Sequence, residues 1–159
     1  LGHKPLAFTP GRVETEGGGF DADLILFMPG LTGPTWLEGG ELPLSEGGFI
    51  AAEATCRVRG MERVYVAGDA GSYPGPDWMA KQAHQADLQA AAVARNIAAE
   101  LRGAPATHGF RTELACIVDT LDAGMLVWRR GRRNLALPRT RAFHWLKRRF
   151  EARYLKAYR

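Results

Sequence analysis

The chain has 159 residues, 46% hydrophobic and 24% charged, the composition of a folded globular domain and not of a disordered tail. Its net charge of +4 hides an asymmetry, because residues 129–159 carry +11 and residues 1–128 carry −7. The longest charge-free stretch, Leu24 to Leu37, is broken by Pro29, Gly30, Gly33 and Pro34, which excludes a membrane-crossing helix of about 20 apolar residues. Two cysteines, Cys56 and Cys116, supply neither a disulfide framework nor a zinc site, and no metal site is predicted. No secretory leader pattern opens the sequence.

In chain order, Leu6 to Phe8 and the alternating Arg12 to Glu16 are strand candidates, with Gly17-Gly18-Gly19 as a turn. Asp23 to Met28 (DLILFM) is a continuous apolar run, the pattern of a strand buried on both faces of a parallel sheet. Leu31 to Gly48 reads as loop with one helical turn around Thr35 to Glu38, and Phe49 to Ala52 as a short strand. A second buried strand, Val64 to Ala67, runs into Gly68-Asp69-Ala70-Gly71 and then a helix from Trp78 to Leu101, with Asp77 as its N-cap and Gly103 and Pro105 as its stop. The helix is rich in alanine, which suits close packing against a sheet. Glu113 to Asp119 and Gly124 to Trp128 form a predicted hairpin through Thr120 to Ala123. From Arg139 to Arg159, Phe143, Leu146, Phe150, Tyr154 and Tyr158 recur at helical spacing, with Trp145 and Leu155 broadening the stripe and Lys and Arg around it.

Strand, Gly68-Asp69 loop and helix together have a chemical logic. The glycine lets a ligand approach the backbone, Asp69 can accept hydrogen bonds from a sugar or ribityl hydroxyl, and the helix points its positive end at the same place. A Gly-Asp after an apolar strand is equally the signature of a tight turn. No GxGxxG occurs, so the adenosine-pyrophosphate half of a dinucleotide site is absent from these residues. The basic aromatic tail suits the interface of an anionic membrane. Its other readings are a helix docked on its own domain, or nucleic-acid contact, which the acidic body of the chain disfavours.

On these motifs, Asp23 to Gly103 resembles the C-terminal part of the FAD-dependent pyridine nucleotide-disulfide oxidoreductases, in the branch of sulfide:quinone oxidoreductases, flavocytochrome c sulfide dehydrogenases and type II NADH dehydrogenases. The resemblance implies an α/β fold: the C-terminal portion of a Rossmann-like flavoprotein with two dinucleotide-binding domains, followed by a C-terminal amphipathic helix. Residues 1–22 would be the tail of a missing nucleotide-binding domain and 23–112 the C-terminal part of the FAD domain. Residues 113–128 would be a hairpin carrying Cys116, and 129–159 a basic tail for the membrane interface. The chain opens on Leu1 in what reads as mid-domain sequence, so a fragment is expected, completed by its N-terminal half or by self-association.

The resemblance further implies FAD as cofactor, with Asp69 on the ribityl chain and Gly68 and Ala70 beside it. Pro29 and Gly30 would lie near the isoalloxazine, and the segment Lys81-Gln82-Ala83 would face the pyrimidine ring. Lys81 and His84 become quinone-site candidates, although a solvated lysine and a packed histidine fit the same residues. In the sulfide:quinone branch a redox cysteine sits in a C-terminal strand, followed by Asp and Gly and then a basic aromatic segment. Cys116-Ile-Val-Asp119, Gly124 and His144-Trp-Leu-Lys-Arg-Arg-Phe150 follow that order. The family chemistry implies that sulfide opens a bridge between Cys116 and a second cysteine outside this chain, and that electrons pass through the flavin to quinone. Cys116 also reads as a buried structural thiol, and Cys56 as a bystander. Phe143, Trp145, Leu146, Phe150 and Tyr154 are the candidate membrane contacts of a peripheral protein. The loop between Asp69 and Lys81 is shorter than the sulfide branch uses, and Gln82-Ala83 with Gln85 leans toward type II NADH dehydrogenases. An NADH donor, or a non-enzymatic module that binds membrane or nucleic acid, are therefore the alternatives.

Overall fold

The computed structural model describes residues 2–156, in two compact units that divide between Leu31 and Thr32. The first unit is an antiparallel meander of β1 (Pro5–Thr9), β2 (Arg12–Thr15) and β3 (Gly18–Asp21). Only Gly17 of the three glycines stays in the turn; Gly18 and Gly19 pair with Thr15 and Glu14. The apolar run from Asp23 to Met28 corrects the sequence reading. It lies in no strand, and Leu24, Leu26 and Met28 are more than 70% exposed. A strand buried on both faces needs neighbours beside it and layers above and below. Within this unit the Phe27 ring meets the Phe8 ring at 4.5 Å, and Ile25 is half-buried.

The second unit begins with loops closed over a small core of Leu37, Ile50, Ala52, Val58 and Val66. Leu37 ends the predicted single turn, Thr35–Leu37, and Ile50 lies in β4 (Ile50–Ala51). β4 pairs in parallel with β5 (Gly71–Ser72), and this two-residue pair is all the parallel sheet found among the described residues. Val64 to Ala67 is not a buried sheet strand. Val64 is exposed, and the segment is held by hydrogen bonds from Val58 N–H to Val64 O and from Val66 N–H to Cys56 O. Its backbone runs antiparallel to 56–58 with one face in the core, so it adds no parallel strand to β4 and β5 among the described residues.

Helix α1 (Ala83–Glu100) starts five residues later than predicted, and Asp77 is not its cap. Gln82 holds that position in an extended conformation with no side-chain cap bond. Gly103, at φ +72°, follows the helix end as expected. The buried face of α1 is Gln85, Gln89, Ala92, Asn96 and Ala99, so its tightest contacts are made by amides. Gln85 donates to Arg111 O and accepts from Glu113 N–H. Asn96 donates to Thr55 O and His108 O and accepts from His108 N–H. These bonds satisfy loop backbone at Thr55, His108 and Arg111 and the first N–H of the strand that begins at Glu113, groups that burial would otherwise penalise.

The predicted hairpin is present as β6 (Glu113–Asp119) and β7 (Gly124–Arg130), in antiparallel register with Cys116 opposite Val127. A third strand that the sequence reading missed, β8 (Arg133–Ala136), pairs with β7 inside the basic segment. Its alternation was masked by arginines. Helix α2 (Arg141–Lys156) then returns over the sheet; Tyr158 lies outside the described residues. The first turn of α2 crosses Gly124 so closely that a Cβ there would lie 3.1 Å from the His144 nitrogen. His144 Nδ1 bonds Asp119 at 2.9 Å.

Candidate functional site

The loop after Val66 and the start of α1 enclose a cleft of about 250 Å³. Gly68 enters it at φ +79°, a left-handed conformation that a side chain would strain, and Ala70 closes a short 3-10 turn, Gly68–Ala70. The turn is fixed from three sides. Gly68 N–H donates to Gln89 Oε1 at 2.8 Å, Tyr73 Oη donates to Gly68 O at 3.2 Å, and Lys81 Nζ donates to Asp69 O at 2.6 Å and Gly71 O at 2.8 Å. Asp69 is exposed at the cleft edge.

Lys81 is therefore no freely solvated lysine. Its ammonium also sits 3.8 Å from the centroid of the Phe49 ring. Burial pulls its pKa below the ordinary lysine value, and the Asp69 charge opposes that pull. The Tyr73 hydroxyl is pushed well up by burial first, so it stays a donor. Gln82 lines the same cleft with a buried Oε1 that has no hydrogen-bond partner.

The cleft thus brings together Gly68, Asp69, Lys81 and Gln82 of the predicted site. Ala70 packs toward the core, and Ala83 opens α1 on the exposed side; neither lines the cleft. His84 Nε2 is 3.1 Å from Glu113 Oε1 and also lies outside the lining. Pro29 and Gly30 belong to the first unit, where both are exposed. Cys116 is half-buried in β6. Alternation puts it on the face opposite Ile117, and Ile117 lies against Gly124 beneath α2. The Cys116 face is shared by Arg129, whose guanidinium stacks over Trp78, in the segment leading into the cleft. Cys56 is fully buried, with its Sγ 3.9 Å from Gln89 O, and burial pushes its pKa to about 11.

Three residues that shape the cleft, Phe49, Tyr73 and Gln89, were not singled out from sequence, nor was Asn96, which fastens α1 to the Thr55 and His108 backbone. For Gln89 and Asn96 a signal existed. Gln85, Gln89 and Asn96 fall at spacings of four and seven on the alanine face of the helix, where amides have no reason to be unless they are bonded.

On α2, Phe143 and Tyr154 are half-buried toward the sheet and α1, with Tyr154 Oη donating to Asp87 Oδ2. Trp145, Leu146 and Phe150 remain exposed. No helix among the described residues is long and apolar enough to cross a membrane.

Neither a protein-family model nor a curated protein matches the chain. Among solved structures, the sulfide:quinone oxidoreductase of the hyperthermophilic bacterium Aquifex aeolicus is similar, with a TM-score of 0.71 at 18% identity over 96% of this chain. The chain spans 40% of that protein's length. The fold seen here is thus that of part of a sulfide:quinone oxidoreductase.

Proposed function

We propose that the chain is the C-terminal, flavin-facing part of an FAD-dependent oxidoreductase of the sulfide:quinone kind. The observation that carries this reading is the cleft, in which a left-handed glycine, an exposed aspartate, a half-buried ammonium and an unpartnered amide oxygen face one space beside a helix start.

These residues fit a flavin. The orphaned Gln82 Oε1 calls for an N–H donor, which a flavin pyrimidine edge offers. Gly68 leaves room beside the backbone, and Asp69 would accept from ribityl hydroxyls. Bound FAD would supply two-electron transfer between donor and quinone. Lys81 and the free N–H groups of the first turn of α1 would favour negative charge in the cleft. Its clamp on Asp69 O and Gly71 O would fix the loop before any ligand arrives.

Cys116 would be the thiol that handles sulfide. A hydrosulfide attacking a disulfide at Cys116 leaves a persulfide on one sulfur and a thiolate on the other. The second sulfur would come from outside this chain, since Cys56 is sealed in the core. His84, bonded to Glu113, would relay protons for quinone. Helix α2 would hold the protein peripherally at a membrane where quinone dissolves.

The test is reconstitution with FAD after joining the chain to the portion of such an oxidoreductase that it does not cover. A visible flavin spectrum that bleaches on adding sulfide is expected, with Asp69→Ala weakening flavin retention and Cys116→Ser abolishing the bleaching alone. A folded, colourless product would overturn the flavin reading. Bleaching by NADH but not by sulfide would move the donor assignment to the type II class.

A further inference from the structure

Helix α2 runs along the sheet from the end where Gly124 and Thr140 exchange hydrogen bonds. It ends toward the edge where Glu113 pairs with Arg130, because Tyr154 reaches Asp87, one turn along α1 from the His84 that bonds Glu113. Half-buried Phe143, His144, Lys147 and Tyr154 mark the side of α2 turned to the sheet and to α1. At about 100° per residue, the opposite side carries Arg141, Trp145, Arg148, Arg149 and Lys156 and no acid. The single acid of α2, Glu151, lies 3.7 Å from Lys147 near the sheet side.

A second basic feature stands at the end of the sheet that α2 approaches. Gly131, at φ +57°, and Arg132 form the turn between β7 and β8, and the register sets Arg130 directly opposite Arg133. Like charges so placed disfavour the pairing, and among the described residues no carboxylate pairs with Arg130, Arg132 or Arg133. Alternation from Gly124 puts Arg130, and its partner Arg133, on the face that carries α2.

We infer that the chain adsorbs to an anionic lipid bilayer through the outer side of α2 together with the arginine hairpin, with Trp145 as interfacial anchor and Phe143 and Tyr154 kept against the protein. The inference rests on the membrane reading above and sharpens it, because it withdraws Phe143 and Tyr154 from the lipid contact and keeps Trp145 in it. Charge complementarity with phosphate headgroups carries it. Trp145 stands in the middle of the basic side, with the Arg149 guanidinium 5.7 Å from its ring, and exposed Phe150 and Leu155 flank that side. Apolar flanks beside a basic strip suit a headgroup layer better than a nucleic-acid backbone.

Flotation of the full chain with vesicles of phosphatidylcholine, alone or mixed with phosphatidylglycerol, tests this. Binding is expected only with phosphatidylglycerol, and should fall as salt rises. Arg148→Gln with Arg149→Gln, and separately Arg130→Gln with Arg133→Gln, should weaken partitioning about fivefold per charge removed. The corresponding Arg→Lys variants should retain it, and Phe143→Ser should leave it unchanged where circular dichroism shows a folded chain. Tyr154→Phe, a milder change on the same side, serves where Phe143→Ser does not fold. Full retention in both glutamine pairs overturns the inference while the membrane reading stands. A wild-type chain that floats with neither vesicle overturns both, as does tighter binding to a DNA or RNA oligonucleotide than to anionic vesicles.

Discussion

Helix α1 buries Gln85, Gln89, Ala92, Asn96 and Ala99, whereas α2 buries none of its residues. Aromatic periodicity marks α2 as the helix with a face to bury, yet the protein covers that face only in part. The helix with few large apolar side chains is the one fastened into the fold. The difference lies in what each helix must satisfy. α1 passes beside loop backbone at Thr55, Gly68, His108 and Arg111, and amides answer it. α2 lies across a completed three-stranded sheet, where Phe143 packs and the Asp119–His144 bond latches the first turn.

The largest expected effect follows from α1. Asn96→Leu removes three hydrogen bonds and strands the His108 N–H and two carbonyls, at a cost of roughly 3 kcal/mol or more in urea unfolding. Trp145→Ala on α2 should cost less than about 0.5 kcal/mol. Comparable losses from the two substitutions would break the contrast between the helices.

Each region also carries one cysteine, which turns the contrast into a rate. Cys56 lies under α1, fully buried with its pKa at about 11, and Cys116 lies half-buried in the sheet below α2. Iodoacetamide near pH 8 should label Cys116 at least about tenfold faster than Cys56, whose thiol is sealed from the reagent and held protonated by burial. Mass spectrometry of the alkylated peptides reads it, and Asn96→Leu should speed Cys56 labelling. Equal rates in the folded wild type would mean that α1 is not the tighter element.

Gly68→Ala probes the cleft beside α1. An added Cβ would sit 3.6 Å from the Ala86 Cβ, so space is adequate and the penalty comes from φ +79°. A loss of about 1–2 kcal/mol is expected, with weaker flavin retention in the reconstituted protein. A stability unchanged by the substitution would show that the loop relaxes freely.

What the sequence made legible follows from the range of each interaction. The β6–β7 hairpin and α2 have close to their predicted bounds because alternation and helical period are local properties. The Gly68, Asp69, Lys81 and Gln82 grouping was legible through its motif. DLILFM and Val64 to Ala67 were misread because an apolar run reports only a tendency to be buried, and the partners that would make it a strand lie elsewhere. β8 was hidden because it is only four residues long and begins within the arginine run 129–133. The Gln89 bond to Gly68 joins residues 21 apart, and the Asn96 bond to Thr55 joins residues 41 apart. No local pattern encodes such partners, although amides on an alanine face hint that partners exist.

The smallest effect expected is the most specific to α2. Asp119 has its pKa lowered mainly by the His144 hydrogen bond, with the His144 and Lys147 charges and the Thr120 backbone assisting. A carboxylate with a depressed folded pKa contributes stability that is present above its unfolded value, near 3.9, and is lost as pH falls through the folded value. Acid should therefore loosen α2 while α1, fastened by uncharged amides, holds. The pair is partly solvated and screened, so the change should be modest. Hydrogen exchange, corrected for intrinsic rates, should show protection in α2 holding from pH 7 to about pH 5 and declining below about pH 4 while α1 keeps its own. Asp119→Asn should remove much of that decline, because an amide does not titrate yet still offers an oxygen to His144. Parallel decline of both helices, in wild type and variant alike, would assign the acid response to the whole fold and not to the latch.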